Sequence, residues 1–172
     1  MSSSELLVSR LASSRSPGAR RARWGFTLIF ALLWIGSLVL LLSGWRPGTY
    51  LALELVWALL PILLQVAFGG DILWRYRNLA LAALLPAWLY LCLADFLAIG
   101  LGTWIIAPDQ SVGLNVGHLP IEEIIFFLVT NMLVVFGTIL VLAQESQARA
   151  PRSVLKILHR FVATPQSHPA PQ

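Results

Sequence analysis

Four long apolar runs separated by short polar segments set the architecture of this chain. The first extends from Trp24 to Leu42. The second, from Tyr50 to about Phe68, carries Glu54, Pro61 and Gln65 and closes at Gly69-Gly70-Asp71. The third covers about Leu79 to Gly102 and holds Pro86 and Asp95, and the fourth opens at Pro120 and runs to about Ala143. Each is close to the ~20 residues that cross a ~30 Å hydrocarbon core. The pattern predicts an all-α polytopic membrane fold of about four transmembrane helices. Pro120 stands where a proline starts a helix well. Pro61 and Pro86 predict kinks, tolerable where neighbouring helices satisfy the freed backbone groups.

The flanks divide the chain further. Residues 1–23, rich in Ser, Ala and Arg with Pro17 and Gly18, read as a disordered basic tail. The Trp24–Leu42 run reads as a retained first span, not a signal peptide. It is nearly twenty residues long, and Ser43-Gly44-Trp45-Arg46 offers no small-x-small cleavage site. A loop from Thr103 to Leu119 lacks Lys and Arg and contains Pro108, Gly113 and Gly117. Residues 24–143 then form the membrane domain and 144–172 a cytoplasmic tail. Within that tail Val154, Leu155, Ile157, Leu158, Phe161 and Val162 recur at helical spacing, which predicts an interfacial amphipathic segment over 153–162.

Composition strengthens the membrane reading. Hydrophobic residues make up 58% of the chain and charged residues 12%, against about 45–50% and about 25% in soluble domains. The formal charge of +4 is unevenly spread. The N-terminal tail, the Arg75/Arg77 turn and the C-terminal tail with Arg149, Arg152, Lys156 and Arg160 are basic, while the other two loops hold only Arg46. Four spans put the basic segments on one side, so both termini are predicted to be cytoplasmic. The same distribution points to an anionic membrane face and not to nucleic acid. Cys92, the single cysteine, sits in an apolar run and reads as a small packing residue, which leaves no disulfide framework or multi-cysteine metal site within the chain.

Candidate chemistry lies in the acids. Of eight, four fall in or at the edge of spans: Glu54, Asp95, Glu122 and Glu123. A charged side chain at a span centre costs ~2.5–3.5 kcal/mol on insertion scales. Counting depth along each span puts all four near the non-cytoplasmic face, on three helices. Taken singly, Glu122 or Glu123 reads as helix capping, Glu54 as an interfacial residue and Asp95 as a packing hydrogen bonder; together they predict a site. Trp57, Trp88, Phe126 and Phe127 lie within helical reach of the acids. Singly these rings are packing residues; with the acids they suggest a pocket that protonates an apolar substrate and shelters a carbocation. Glu122 and Glu123 stand ~100° apart on a helix. Carboxyls crowded near Asp95 cannot all be ionised, which leaves one to act as an acid. His118 is either a plain loop residue or a proton relay from the aqueous side.

The stretch His118-Leu-Pro-Ile-Glu-Glu-Ile-Ile-Phe-Phe-Leu-Val-Thr-Asn131 resembles the PxEE signature of the integral-membrane lycopene cyclase family. Asp95-x-x-Ala-x-Gly-x-Gly-x-Trp104 is similar to that family's aspartate and tryptophan segment, and Tyr50–Gln65, with Glu54, Trp57 and Pro61, to its preceding helix. The resemblance covers about residues 50–143. It implies a subunit of a carotenoid (lycopene beta-) cyclase that forms end rings by redox-neutral acid/base carbocation chemistry in a cell membrane of the bacterial type. It implies Glu122, Glu123, Asp95 and Glu54 as the catalytic carboxyls. Trp57, Trp88, Trp104, Phe126, Phe127 and Asn131 are implied as substrate-binding residues. The family's active unit has two such domains, so one domain here implies a heterodimer with a second homologous subunit. No dinucleotide fingerprint is present, so no flavin or other cofactor is expected. Two other classes fit intramembrane acids: a proton-coupled transporter subunit, and a non-catalytic assembly subunit whose acids meet a partner's Arg.

Topology is directly testable. Reporter fusions at the N-terminal tail, near Asp109 and at the C-terminal tail should read inside, outside and inside; a cytoplasmic Asp109 would overturn both span count and acid placement.

Overall fold

The computed structural model describes residues 17–104 and 109–149. Helix α1 spans Pro17–Leu42. A 3-10 turn at Arg46–Gly48 leads into α2, Thr49–Arg75, and α3 spans Arg77–Gly100. A two-residue hairpin follows, β1 Asn115–Val116 against β2 Leu119–Pro120, with Asn115 opposite Pro120. Helix α4 runs Ile121–Leu142 and α5 Gln144–Arg149. Four of these helices are long and apolar enough to cross a membrane, and the chain reads as an integral membrane protein. The amphipathic segment expected over 153–162 lies outside the described residues.

Boundaries differ from the sequence reading in three places. The first helix starts at Pro17, not Trp24, so Arg20, Arg21 and Arg23 are helical. Proline is preorganised for a first helical position, and arginine stems can lie along an apolar helix while their heads reach water. The Gly69-Gly70-Asp71 stop is instead a kink: Gly69 takes φ −145°, ψ 33°, and α2 continues to Arg75. A Cβ on Gly69 would fall 2.4 Å from Leu140 Cδ2, so the bare backbone is what lets α4 pack there. The expected loop around Arg75 and Arg77 shrinks to Tyr76 alone.

Helix α4 is the centre of the bundle. It packs on both α2 and α3, whereas α2 and α3 touch each other only slightly and α1 lies against α2. The shared core comprises Ala58, Ile62, Val66, Ile72, Leu73, Ala80, Val129, Ile139 and Leu140. Leucines and tryptophans along the outside, such as Leu28, Leu32, Leu64 and Leu93, are exposed, as lipid-facing side chains are. Trp34 of α1 donates its indole N–H to the Val56 carbonyl (2.9 Å). At the end carrying Arg75 and Arg77, α5 is clamped to α2. Arg149 donates to Asp71 Oδ1 (2.8 Å) and Arg75 to the buried Glu145 (3.1 Å). The clamp pairs charges that would otherwise be stranded at the bundle's edge.

At the opposite end the hairpin sets the start of α4. Gly117 has φ +63°, a region L-residues avoid, and a Cβ there would lie 2.7 Å from Phe96 Cε2. The Ile121 N–H donates to the Leu114 carbonyl (2.9 Å), tying helix to hairpin. Gly117→Ala should therefore destabilise the fold by more than the ~1–2 kcal/mol of left-handed strain alone. Gly102→Ala, at φ +74° with open space around it, should show the strain term only. Thermal unfolding of the two variants in detergent measures the difference; equal losses would remove the Phe96 contact from the account.

Candidate active site

Each of the three core helices brings carboxyls to the hairpin end of the bundle. On α2, Glu54 falls one turn beyond Tyr50, on the same face. On α3, Asp95 sits five residues before Gly100, about 8 Å along the axis. On α4, Glu122 and Glu123 occupy the first turn, where the helix dipole favours negative charge. All four are buried: Glu122 is 0% exposed, Glu54 3%, Asp95 4% and Glu123 9%. They also sense one another electrostatically. Glu54 couples to Glu123 and to Glu122, and Glu123 couples to Asp95 and Glu122. The depth count along separate spans thus converges on one cluster.

The partners of these carboxyls are unequal. Glu122 Oε1 accepts from Ser111 Oγ (3.0 Å) and the Val112 N–H (2.6 Å), which straps the segment after Asp109 across the start of α4. Glu123 Oε1 accepts from the Tyr50 hydroxyl (2.6 Å). Asp95 faces the side chain of Trp104. Both oxygens of Glu54, together with Asp95 Oδ2 and Glu122 Oε2, are buried without a hydrogen-bond partner. Buried polar atoms are nearly always satisfied, and four of the six unpartnered buried side-chain oxygens among the described residues belong to these acids. The strap is itself held at two more points. The Tyr50 N–H donates to the Gln110 carbonyl (3.4 Å), and Arg46 pairs with Asp109 at the surface (3.0 Å).

The aromatic residues divide. Trp88, on α3, donates its indole N–H to the Ile124 carbonyl of α4 (2.9 Å), directly beside the glutamates. The Phe126 ring lies tilted against Phe127 at 5.5 Å between centroids and reaches Trp57 at 6.3 Å. Trp57 and Trp104 are each about half exposed, at 49% and 50%, so they border the cluster from its lipid-facing side. Asn131 does not join it. Its amide donates to the Phe127 carbonyl of its own helix (2.7 Å), and eight residues put it ~12 Å along the axis from Glu123. His118 packs against Phe96 at 5.5 Å and close over Gly100.

Sequence reasoning passed over Tyr50, Ser111 and Val112. Tyr50 had a legible signal, standing four residues before Glu54 and therefore on its face. The strap had none, because a Ser and a backbone N–H in a glycine-bearing loop look like any other loop.

No family model matches the chain, and no solved structure matches it. Curated relatives do. The lycopene beta-cyclase of Halobacterium salinarum is 39% identical over 136 residues, 79% of this chain and 56% of the relative. The bifunctional lycopene cyclase/phytoene synthase of Pyrenophora tritici-repentis is 39% identical over 129 residues, 70% of this chain and 22% of its own length. A protein of the same description from Phaeosphaeria nodorum is 37% identical over 150 residues, 84% of this chain and 23% of the relative. The chain spans about half the length of the Halobacterium relative and under a quarter of the fungal ones. With identity near 40% maintained over most of its four-helix membrane domain, the chain belongs to the lycopene cyclase domain family.

Proposed function

We propose that this chain is one subunit of a carotenoid cyclase, closing the ends of lycopene or a related linear carotenoid into six-membered rings. One observation carries the reading: four buried carboxyls from three helices form a single layer, with orphan oxygens and aromatic neighbours, in a relative of lycopene cyclases. Ring closure needs a proton added to a terminal double bond and another removed from the ring, with no change of oxidation state. A buried carboxylic acid supplies the first and a carboxylate accepts the second. Glu122, Glu123, Asp95 and Glu54 are the groups for those tasks.

The surroundings suit a cation. The faces of Trp88, Phe126 and Phe127 present negative π density. The strap over the start of α4 keeps bulk water from a carbocation that water would trap. Trp57 and Trp104, half exposed on the lipid side, would guide an apolar rod from the bilayer to the acids. A carotenoid lying across the membrane puts its end group near a membrane face, which is the depth of the acid layer. In this reading both termini are cytoplasmic, following the basic residues, and the acids lie near the outer face of a bacterial-type cell membrane. In this reading the partner is a second homologous cyclase domain, as the two-domain active unit of the family implies.

Two outcomes are expected in lycopene-accumulating cells expressing the chain with and without a second cyclase domain. Glu122→Gln and Glu123→Gln should each insert normally yet lower ring formation by roughly 10²–10⁴-fold, the size of a general acid–base contribution. Pigment analysis that found both variants fully active would sink acid catalysis by these carboxyls. Expressed without the second domain, the chain should yield little or no cyclic product. Efficient ring formation by the purified chain as a monomer would remove the heterodimer from the proposal.

A further inference from the structure

Ring closure consumes one proton and releases another, and the site is buried, so the released proton must return to the acid before the next turnover. Tyr50 stands where that return would pass. Its hydroxyl donates to Glu123 Oε1 at 2.6 Å, from a different helix. One turn along α2, Glu54 is 3% exposed, and both of its oxygens are buried and unpartnered. Tyr50 and Glu54 stand four residues apart on α2 and so share one face of the helix. A phenol donates one hydrogen bond and accepts others. While Tyr50 donates to Glu123, its oxygen keeps lone pairs able to accept from an acid one turn along the same helix face.

We infer that Tyr50 is a proton relay linking Glu54 to Glu123, so that the proton lost from the ring is recycled inside the site. The relay rests on the cyclase reading above. Glu123, protonated, gives its proton to the terminal alkene carbon. The tertiary cation is attacked by the next double bond and the ring closes. The Glu54 carboxylate removes a proton from the ring carbon beside the new cation, restoring a double bond. The Glu54 acid proton then passes to the Tyr50 oxygen as the Tyr50 O–H proton passes to Glu123 Oε1. One proton is added and one removed, no electrons leave, and the carboxyls and Tyr50 end as they began. Tyr50 meets no substrate in this scheme; it acts on the two carboxyls that do. The backbone supports the arrangement, since the Tyr50 N–H is held by the Gln110 carbonyl of the strap.

The test uses membranes containing the full chain and a second cyclase domain, assayed with lycopene in deuterated buffer. With internal recycling, product rings should carry clearly less than one deuterium each. Tyr50→Phe removes a single oxygen, so insertion and thermal stability should hold. It should lower kcat by about 100-fold, in the range of general acid–base effects, leave KM unchanged, and raise incorporation towards one deuterium per ring, because Glu123 must then be reprotonated from bulk water. One deuterium per ring in the unmodified enzyme overturns the relay without need of any variant. So does a Tyr50→Phe enzyme with unchanged kcat, and both results leave the cyclase reading standing. Absence of cyclic product from the unmodified chain with its partner domain would overturn the cyclase reading itself and the relay with it.

Discussion

The structure is organised around keeping carboxyl groups away from lipid. Four of them sit within one end of a bundle whose exterior is leucine, valine and tryptophan. Carboxylates facing hydrocarbon would cost several kcal/mol each; turned inward on three helices they face each other, Tyr50 and the strap. That requirement fixes the rotation of α2, α3 and α4 about their axes more firmly than apolar packing does, because leucines pack almost equally well against lipid or protein. Helix α4 must be central, since it carries two of the acids and has to meet both α2 and α3. The fully buried Glu122, bonded to Ser111 and Val112, then draws the preceding loop over the cluster.

The two ends of the bundle use charge differently. At one, Asp71–Arg149 and Arg75–Glu145 pair opposite charges at a helix junction; such pairs hold α5 in place and leave nothing to react. At the other, among the described residues, the acids face no cation and several of their oxygens are orphans. An unpaired buried acid cluster is costly to stability and useful to chemistry, because a carboxyl without a cationic partner readily holds a proton. The separation puts the unpaired acids at one end of the bundle and the charge-paired clamp at the other.

Much of this was written in the chain's one-dimensional pattern. Hydrophobic run lengths determined four spans because ~20 apolar residues match the bilayer core. The positions of Glu54, Asp95, Glu122 and Glu123 relative to the span ends determined a common depth, because helical rise is fixed at 1.5 Å per residue. The same regularity identified Trp88 and Phe126 as neighbours of the acids. What the pattern could not decide was how each helix is turned and what lies between them. Asn131 carries its amide bonded to its own helix, about two turns beyond the glutamates, a placement the spacing alone did not show. Gly69 resembled a stop and is a kink, because Leu140 of α4 needs the space a side chain would fill. The links from Tyr50 to Glu123 and from Ser111 to Glu122 join residues 73 and 11 positions apart. Periodicity carries no information across such separations; only the packing of α2 and the loop against α4 brings those groups within hydrogen-bonding distance.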